Sequence, residues 1–515
     1  MFDSVRQSML WLHRFVGVGF SGLLLIAFFM GSLAVYDREL DSWMLPQTRL
    51  APVDEPISLD RRVVPHVASL SEGKPLMQWY VEMPDARRPL LRFQAWTLEG
   101  NGYSRFLAPT GDQVLPEAGS RGGDFFYRLH YTLNITTWSA GARLLGLAAM
   151  LGLIALIVGV CIHARLFQDL FVFRVDKSPR RLLDLHNLTG VFALPFHFVI
   201  MLTGLLILFP LYLPASVLAV YQEQADQFGA EANAAYRREA SGKPGVLASL
   251  DQMMAQARLR WGNGEPTFVR VWHPGDANAY VEISRSAGDR LSEDEQTLYF
   301  DGANARLLYE SKLPVAAGTF KFLAGLHVTH FQQAWLRALY FLAGLSGCVM
   351  LGSGLLYWLE KRRLQNANGP LSVAPMTLFT SALITGMPLA TLAMLVANRW
   401  LPVELDGRAD WEIRVFYAAW LLATAHAAQV IWRSPQRRAP WATQCLAISA
   451  LAVLAVISNA WSTGDHPWHA IRQGFTAVAG VDLALLAVAL LAASVGWRLR
   501  NRAGAVVALG EVKNG

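Results

Sequence analysis

The chain has 515 residues, of which 53% are hydrophobic and 16% charged, with a formal net charge of +6. A soluble protein of this length carries more charge and breaks its apolar runs more often. The basic residues do not gather on a soluble face, as a nucleic-acid binder needs, but flank the apolar runs, as in membrane proteins.

Runs of about 20 residues without Asp, Glu, Lys or Arg are long enough to cross a bilayer as helices. The first, 15–36, is too long for a signal-peptide core and no convincing small-residue cleavage site follows it, so it reads as a retained helix closing a segment 1–36. A polar segment, 37–137, comes next. In it "QWYVEMP" (78–84) and "LLRFQAW" (90–96) alternate like strands. Span two (apolar at 144–164) lies in 138–165, and a basic loop, 166–183, leads to span three in 184–213 (apolar from 185). The second polar segment, 214–326, carries "TFVRVWHPGDANAYVEIS" (267–284), which reads as strand, turn and strand. Span four (apolar at 338–359) lies in 327–360. An appended bundle, 370–500, holds apolar runs at 373–397, 414–432, 441–461 and 473–497, and a tail, 501–515, ends the chain. The expected fold is an α-helical polytopic membrane protein with about eight transmembrane helices and two small α+β domains inserted between them.

The charged connections agree on orientation. Arg6 and Arg14, then Arg165, Arg174, Lys177, Arg180 and Arg181, then Lys361, Arg362 and Arg363 all fall on one side. Arg433, Arg437 and Arg438, then Arg498, Arg500 and Arg502 fall there too. The positive-inside bias makes that side the cytoplasm, with both termini in it and both polar segments projecting outward.

The two halves of 1–360 resemble each other. Leu12-His13-Arg14-Phe15-Val16-Gly17-Val18 and Leu185-His186-Asn187-Leu188-Thr189-Gly190-Val191 both read L-H-x-x-x-G-V. "FLAPTGDQVL" (106–115) matches "YFDGANARLL" (299–308). Leu129-His130, with Trp138 beyond it, matches Leu326-His327, with Trp335 beyond it. A tandem repeat of helix, outer domain and helix predicts a pseudo-twofold axis along the membrane normal.

That axis brings His13 opposite His186 at the cytoplasmic edge, and His130 opposite His327 at the outer edge. Two facing imidazoles at one depth can clamp a haem iron, giving one site near each surface. The three cysteines, Cys161, Cys348 and Cys445, form neither CxxC nor CxxCH, so no disulfide framework and no covalent c-type attachment is supported. The haem is then of the b type. His197 lies three helical turns after His186, on the same face. His163 ends span two at the depth of His13, and His330 follows His327 by three residues; all three stand as alternates. For each histidine the bland alternative is an interfacial or buried hydrogen-bonding role, and His426 reads as structural. Arg14, Arg128, Arg143 and Arg337 flank the sites and suit haem propionates, with membrane-edge snorkelling as the alternative. Asp482, deep in span eight, suits proton relay, a quinol headgroup or pairing with a neighbouring helix.

"LWLHRFVGV", "LDLHNLTGVFALPFH" and "GLHVTHF…LRALYFLAGLSG" resemble the PepSY-associated transmembrane helix family of bacterial inner-membrane proteins over roughly residues 1–363. The resemblance implies PepSY-type outer domains, a link to iron uptake, and in some members a haem-containing ferric-siderophore reductase. It makes His13, His130, His186 and His327 the haem ligands. His163 and His197 exceed a four-histidine pattern, which leaves the pairing and a third haem open. No dinucleotide fingerprint or flavin domain is present. Electrons would come from a membrane quinol or a cytoplasmic partner and pass to a ferric siderophore in the periplasm. The competing classes are a siderophore permease and a peptide-binding envelope regulator.

Overall fold

Ser4 accepts a hydrogen bond from the Gln7 backbone N–H (3.3 Å) and starts the first long apolar helix, α1 (Val5–Ala34). The structure, a computed structural model, describes residues 4–50, 57–108, 114–116, 119–163, 179–222, 225–262, 264–285, 291–292, 296–365, 373–433 and 440–511. Beyond α1 come α2 (Asp37–Met44), strands β1 (Leu76–Glu82), β2 (Leu91–Thr97) and β3 (Gly102–Leu107), then α3 (Asp124–Thr132) and α4 (Ala140–Ile162). The pair α5 (Arg180–Phe192) and α6 (Leu194–Ile207) leads to α7 (Leu250–Arg260) and strands β4 (Phe268–Trp272), β5 (Tyr280–Arg285), β6 (Gln296–Asp301) and β7 (Leu307–Glu310). Last come α8 (Val315–Val328), α9 (Ala334–Gln365), α10 (Ala374–Ser381), α11 (Met387–Trp400), α12 (Arg408–Arg433), α13 (Trp441–Thr463) and α14 (Thr476–Glu511).

Among the described residues, seven helices are long and apolar enough to span a membrane, or up to eight if α5 and α6 count as one. The chain is a multi-pass membrane protein. The span expected at 184–213 is bent by 67° between α5 and α6. Pro195, just after the break, has no N–H to give to the preceding turn and its ring crowds that turn, which disrupts the helix there. The fifth span continues from α10 into α11 through a π-helical turn, Ala382–Gly386.

The chain divides into two compact units. The first comprises residues 1–45, 119–205 and 338–515 and holds the apolar helices. In it Leu24 of α1, Ala148 of α4 and Met201 of α6 form one buried cluster. Gly152 lets α4 approach Leu24 and Met201, and Gly347 lets α9 approach Phe28 of α1.

The second unit, 46–118 and 206–337, is built from both polar segments. The sequence suggests two separate domains here; the strands instead form one seven-stranded sheet in the order β3-β2-β1-β4-β5-β6-β7. The joint is β1 against β4, antiparallel, with Trp79 opposite Val271 and Val81 opposite Val269. Each segment alone would leave a hydrophobic strand edge open, and pairing the two edges closes both. One sheet face buries Trp79, Val81, Phe93, Val269 and Phe300 with Met253 and Met254 of α7. The domain limits differ accordingly: 37–45 and 119–137 belong with the helices, and 206–213 and 327–337 with the sheet unit.

Candidate functional site

His13 and His186 come together. Their rings, on α1 and α5, stand 6.1 Å apart between centroids with an interplanar angle of 74°. Neither ring is held by its own helix. His13 Nδ1–H donates to the Ala155 carbonyl of α4 (2.9 Å). His186 Nδ1–H donates to the Met350 carbonyl of α9 (2.8 Å). His130, on α3, repeats the arrangement: its Nδ1–H donates to the Ala27 carbonyl of α1 (2.8 Å).

A carbonyl oxygen can only accept, so each bond puts the ring proton on Nδ1 and the lone pair of the neutral imidazole on Nε2. An imidazole that ligates a metal through Nε2 is normally oriented this way, its other nitrogen donating to a backbone carbonyl or carboxylate. His130 lies outside the spanning helices, and its burial lowers its pKa below the usual histidine value, with the bond to Ala27 opposing. Its neutral, lone-pair form is therefore favoured.

These residues fit a haem. Imidazole–metal bonds are about 2.0–2.1 Å, so two imidazoles on opposite sides of one ion hold their ring centres about 6 Å apart. The His13–His186 separation of 6.1 Å matches. Among the described residues no group of three or more His, Cys, Asp or Glu side chains could hold a bare metal ion. A pair of imidazoles suits an iron whose remaining positions a porphyrin fills.

The other histidines are placed differently. His163 caps the end of α4, and its Nε2 accepts from Asn187 Nδ2 (3.1 Å), the residue after His186. That bond takes the lone pair an iron would need. His197, on α6, is fully buried between Phe28 and Phe196. The Ser346 hydroxyl gives its hydrogen to the Ala343 carbonyl, so His197 Nε2 donates to Ser346 Oγ (3.2 Å) and its buried Nδ1 has no protein partner. Its proton sits on the opposite nitrogen from those of the three carbonyl-bound rings. His327, near the end of α8, and the exposed His330 belong to the second unit.

The arginines expected beside propionates have other surroundings. Arg14 is exposed and its Nε donates to Leu10 O of its own helix (3.2 Å). Arg128 pairs with Asp124 (2.6 Å), and Arg143 is exposed. Arg337, in the second unit, is buried and donates to the carbonyls of Phe331 (2.9 Å) and Gln332 (2.8 Å).

Asp482 pairs with neighbouring helices. Fully buried, it accepts from Trp43 Nε1 of α2 (2.7 Å) and Asn459 Nδ2 of α13 (3.2 Å). Sequence reading missed a second buried network, in which Glu412 pairs with Arg408 (3.0 Å) and accepts from Asn398 (2.7 Å) and Ser120 (2.6 Å). An acid four residues after a base on one helix was the available signal. It missed the carbonyls of Ala27, Ala155 and Met350 as well, because backbone acceptors leave no side-chain signature.

Comparison with known proteins gives a shorter relative. An uncharacterised protein of Pseudomonas aeruginosa is 27% identical over 402 residues, which cover 74% of this chain and 96% of that protein. The family model for the PepSY-associated TM region matches residues 10–361, the interval that holds both L-H-x-x-x-G-V motifs and the strands. The chain belongs to the PepSY-associated TM region family.

Proposed function

We propose that the chain is a bacterial inner-membrane electron carrier with two b-type haems, which reduces a ferric siderophore in the periplasm and so releases Fe(II). The observation that carries this reading is the His13–His186 pair, 6.1 Å apart, each ring tied by Nδ1 to the carbonyl of another helix. These two residues would hold one haem, and the sequence repeat assigns His130 and His327 to the second. Haem held there would supply one-electron redox chemistry.

The chain's own residues prepare the place. The carbonyls of Ala155 and Met350 hold the rings and keep Nε2 as the donor atom. Leu24, Ala148 and Met201 wall the bundle with apolar surface and exclude water. The substrate iron gains one electron, Fe(III) becoming Fe(II), and the less charged ion binds hydroxamate or catecholate oxygens less tightly. With the basic connections in the cytoplasm, the sheet unit faces the periplasm and the chelate. Electrons come from a membrane quinol or a cytoplasmic partner.

Purified from haem-replete cells, the protein should be red, with the Soret and α bands of six-coordinate b-type haem after dithionite. His186→Ala should lose about one haem equivalent, since one of the two imidazoles that would hold it is gone. A colourless wild-type protein would overturn the reading, and full haem content in His186→Ala would remove that residue from the ligand set.

A further inference from the structure

We propose that Gly31, Gly159 and Gly354 are positioning residues, each of which bares one backbone carbonyl so that a histidine can lock its ring onto it. The role toward haem rests on the reading above; the geometry itself does not. Each acceptor carbonyl is followed four residues later by one of these glycines: Ala27 by Gly31, Ala155 by Gly159, Met350 by Gly354. Three helices, α1, α4 and α9, carry the same pair of features against three histidines.

The spacing has a physical cause. In a helix the carbonyl of residue i points along the axis to the N–H of residue i+4 and keeps one lone pair for a second donor. Every Cα–Cβ bond tilts toward the helix N-terminus, so the side chain of residue i+4 overhangs that carbonyl. Glycine removes the overhang. A Cβ built on Gly31 would lie 2.8 Å from His130 Nδ1. One on Gly354 would lie 2.9 Å from His186 Nδ1, and one on Gly159 3.1 Å from His13 Cε1. At each of the three positions the nearest atoms belong to the imidazole alone. An added methyl therefore displaces the ring and spares the helix contact.

Packing glycines in the same bundle look different. A Cβ on Gly22 would meet Phe379 and Leu383, and one on Gly152 would meet Leu24 and Met201. The repeat also keeps the glycine in sequence: Gly204 follows Gly31 at the interval by which His186 follows His13. Once off its carbonyl, an imidazole donates less electron density through Nε2, and a ferric ion is held less favourably.

The test uses Gly31→Ala, Gly159→Ala and Gly354→Ala in the full-length protein. Gly152→Ala serves as a packing control, and Gly480→Ala as an open-space control, since a Cβ there meets nothing within 4 Å. Nitrogen-15 spectra of selectively labelled histidines in haem-free protein report the tautomer directly. Wild type should show the Nδ1–H form at His13, His130 and His186, and each latch variant should lose it at its own histidine only. In haem-loaded protein, redox titration should show the midpoint potential of the affected haem rising. The shift should be larger for Gly31→Ala and Gly354→Ala than for Gly159→Ala, following the closeness of approach. Gly152→Ala should lower the melting temperature and leave tautomers and potentials alone. The proposal is overturned if Gly31→Ala and Gly354→Ala keep the Nδ1–H signals and wild-type potentials. A colourless wild type would sink the haem reading, and the tautomer spectra would still judge the latch. If Gly354→Ala failed to fold, Gly159→Ala, with the looser fit, would decide the matter for the same pair.

Discussion

At the scale of single residues, four of the histidines described in the helical unit divide by where the ring proton sits. His13, His130 and His186 give Nδ1–H to a carbonyl, while His197 gives Nε2–H to Ser346 and leaves its other nitrogen without a partner. A buried polar atom without a partner costs about 1–3 kcal/mol, so the His197 ring is a cost to the fold. His197→Leu should keep the full haem content and leave the melting temperature equal to or above that of wild type. Haem loss in that variant would restore His197 to the ligand set. His13 and His186 were legible as a pair because they recur in L-H-x-x-x-G-V, and His130 because Leu129-His130 recurs as Leu326-His327. His163 was not separable in sequence, because its partner, Asn187, sits inside that same motif. Arg337 misled for a related reason: its guanidinium serves the carbonyls of a local turn, and such targets have no sequence signal.

At the scale of elements, a short repeat outside the helices emerges only in three dimensions. Ser58-Leu59-Asp60 and Ser249-Leu250-Asp251 each start a helix, and each aspartate caps the other's helix. Asp251 accepts from the Leu59 N–H (2.8 Å), and Asp60 from the Leu250 N–H (2.8 Å). Ser58 Oγ donates to Asp251, and Ser249 Oγ to Asp60. Asp60→Ala and Asp251→Ala should each destabilise the sheet unit by about 1–2 kcal/mol, as loss of a helix cap does, read by denaturant melts of its tryptophan fluorescence. Because the two caps face one another, the double variant should cost less than the sum of the singles. A loop nearby supplies a pH dependence. Asp276 accepts first from the Ser241 N–H, with further bonds from Asn278 and Gly242, which hold its carboxyl down to about 2. A depressed folded pKa means the stabilisation is complete above the ordinary value of 3.8 and fades as pH falls toward 2. Hydrogen exchange at Ser241 and Gly242 should quicken across that window, and Asp276→Asn should abolish the pH dependence. The strands themselves were legible from alternation, but the pairing of β1 with β4 was not. Nothing in a strand's own pattern says which edge it will meet.

At the scale of the molecule, apolar runs and basic connections announced a multi-pass protein, and the helices occupy nearly the expected intervals. The bend at Pro195 and the shared sheet were the departures, both set by backbone hydrogen bonding rather than by hydropathy. The appended helices α10 to α14 are tied to the first helical corner by polar bonds. Trp43 donates to Asp482, and Arg399 donates to the Met44 carbonyl and stacks over Trp43 at 5.1 Å. The charge bias predicts the orientation: an alkaline phosphatase reporter fused after Arg181 should be inactive, and one fused after Ala118 active. The reverse pattern would invert the topology and place the sheet unit in the cytoplasm.

The β1–β4 joint also imposes an order in time. Trp79 and Val271 become neighbours in the sheet, yet α4, α5 and α6 lie between them in the chain. Synthesis runs from the N-terminus, so β1 is made well before β4 exists. Until the third span has been inserted, β1 offers an open hydrophobic edge, the kind of surface that invites wrong partners. Closure of the sheet is thus a record that the intervening helices were threaded in the right sense. A chain with an inverted span would strand β1 and β4 on opposite sides of the bilayer, where quality-control proteases meet an unfinished sheet.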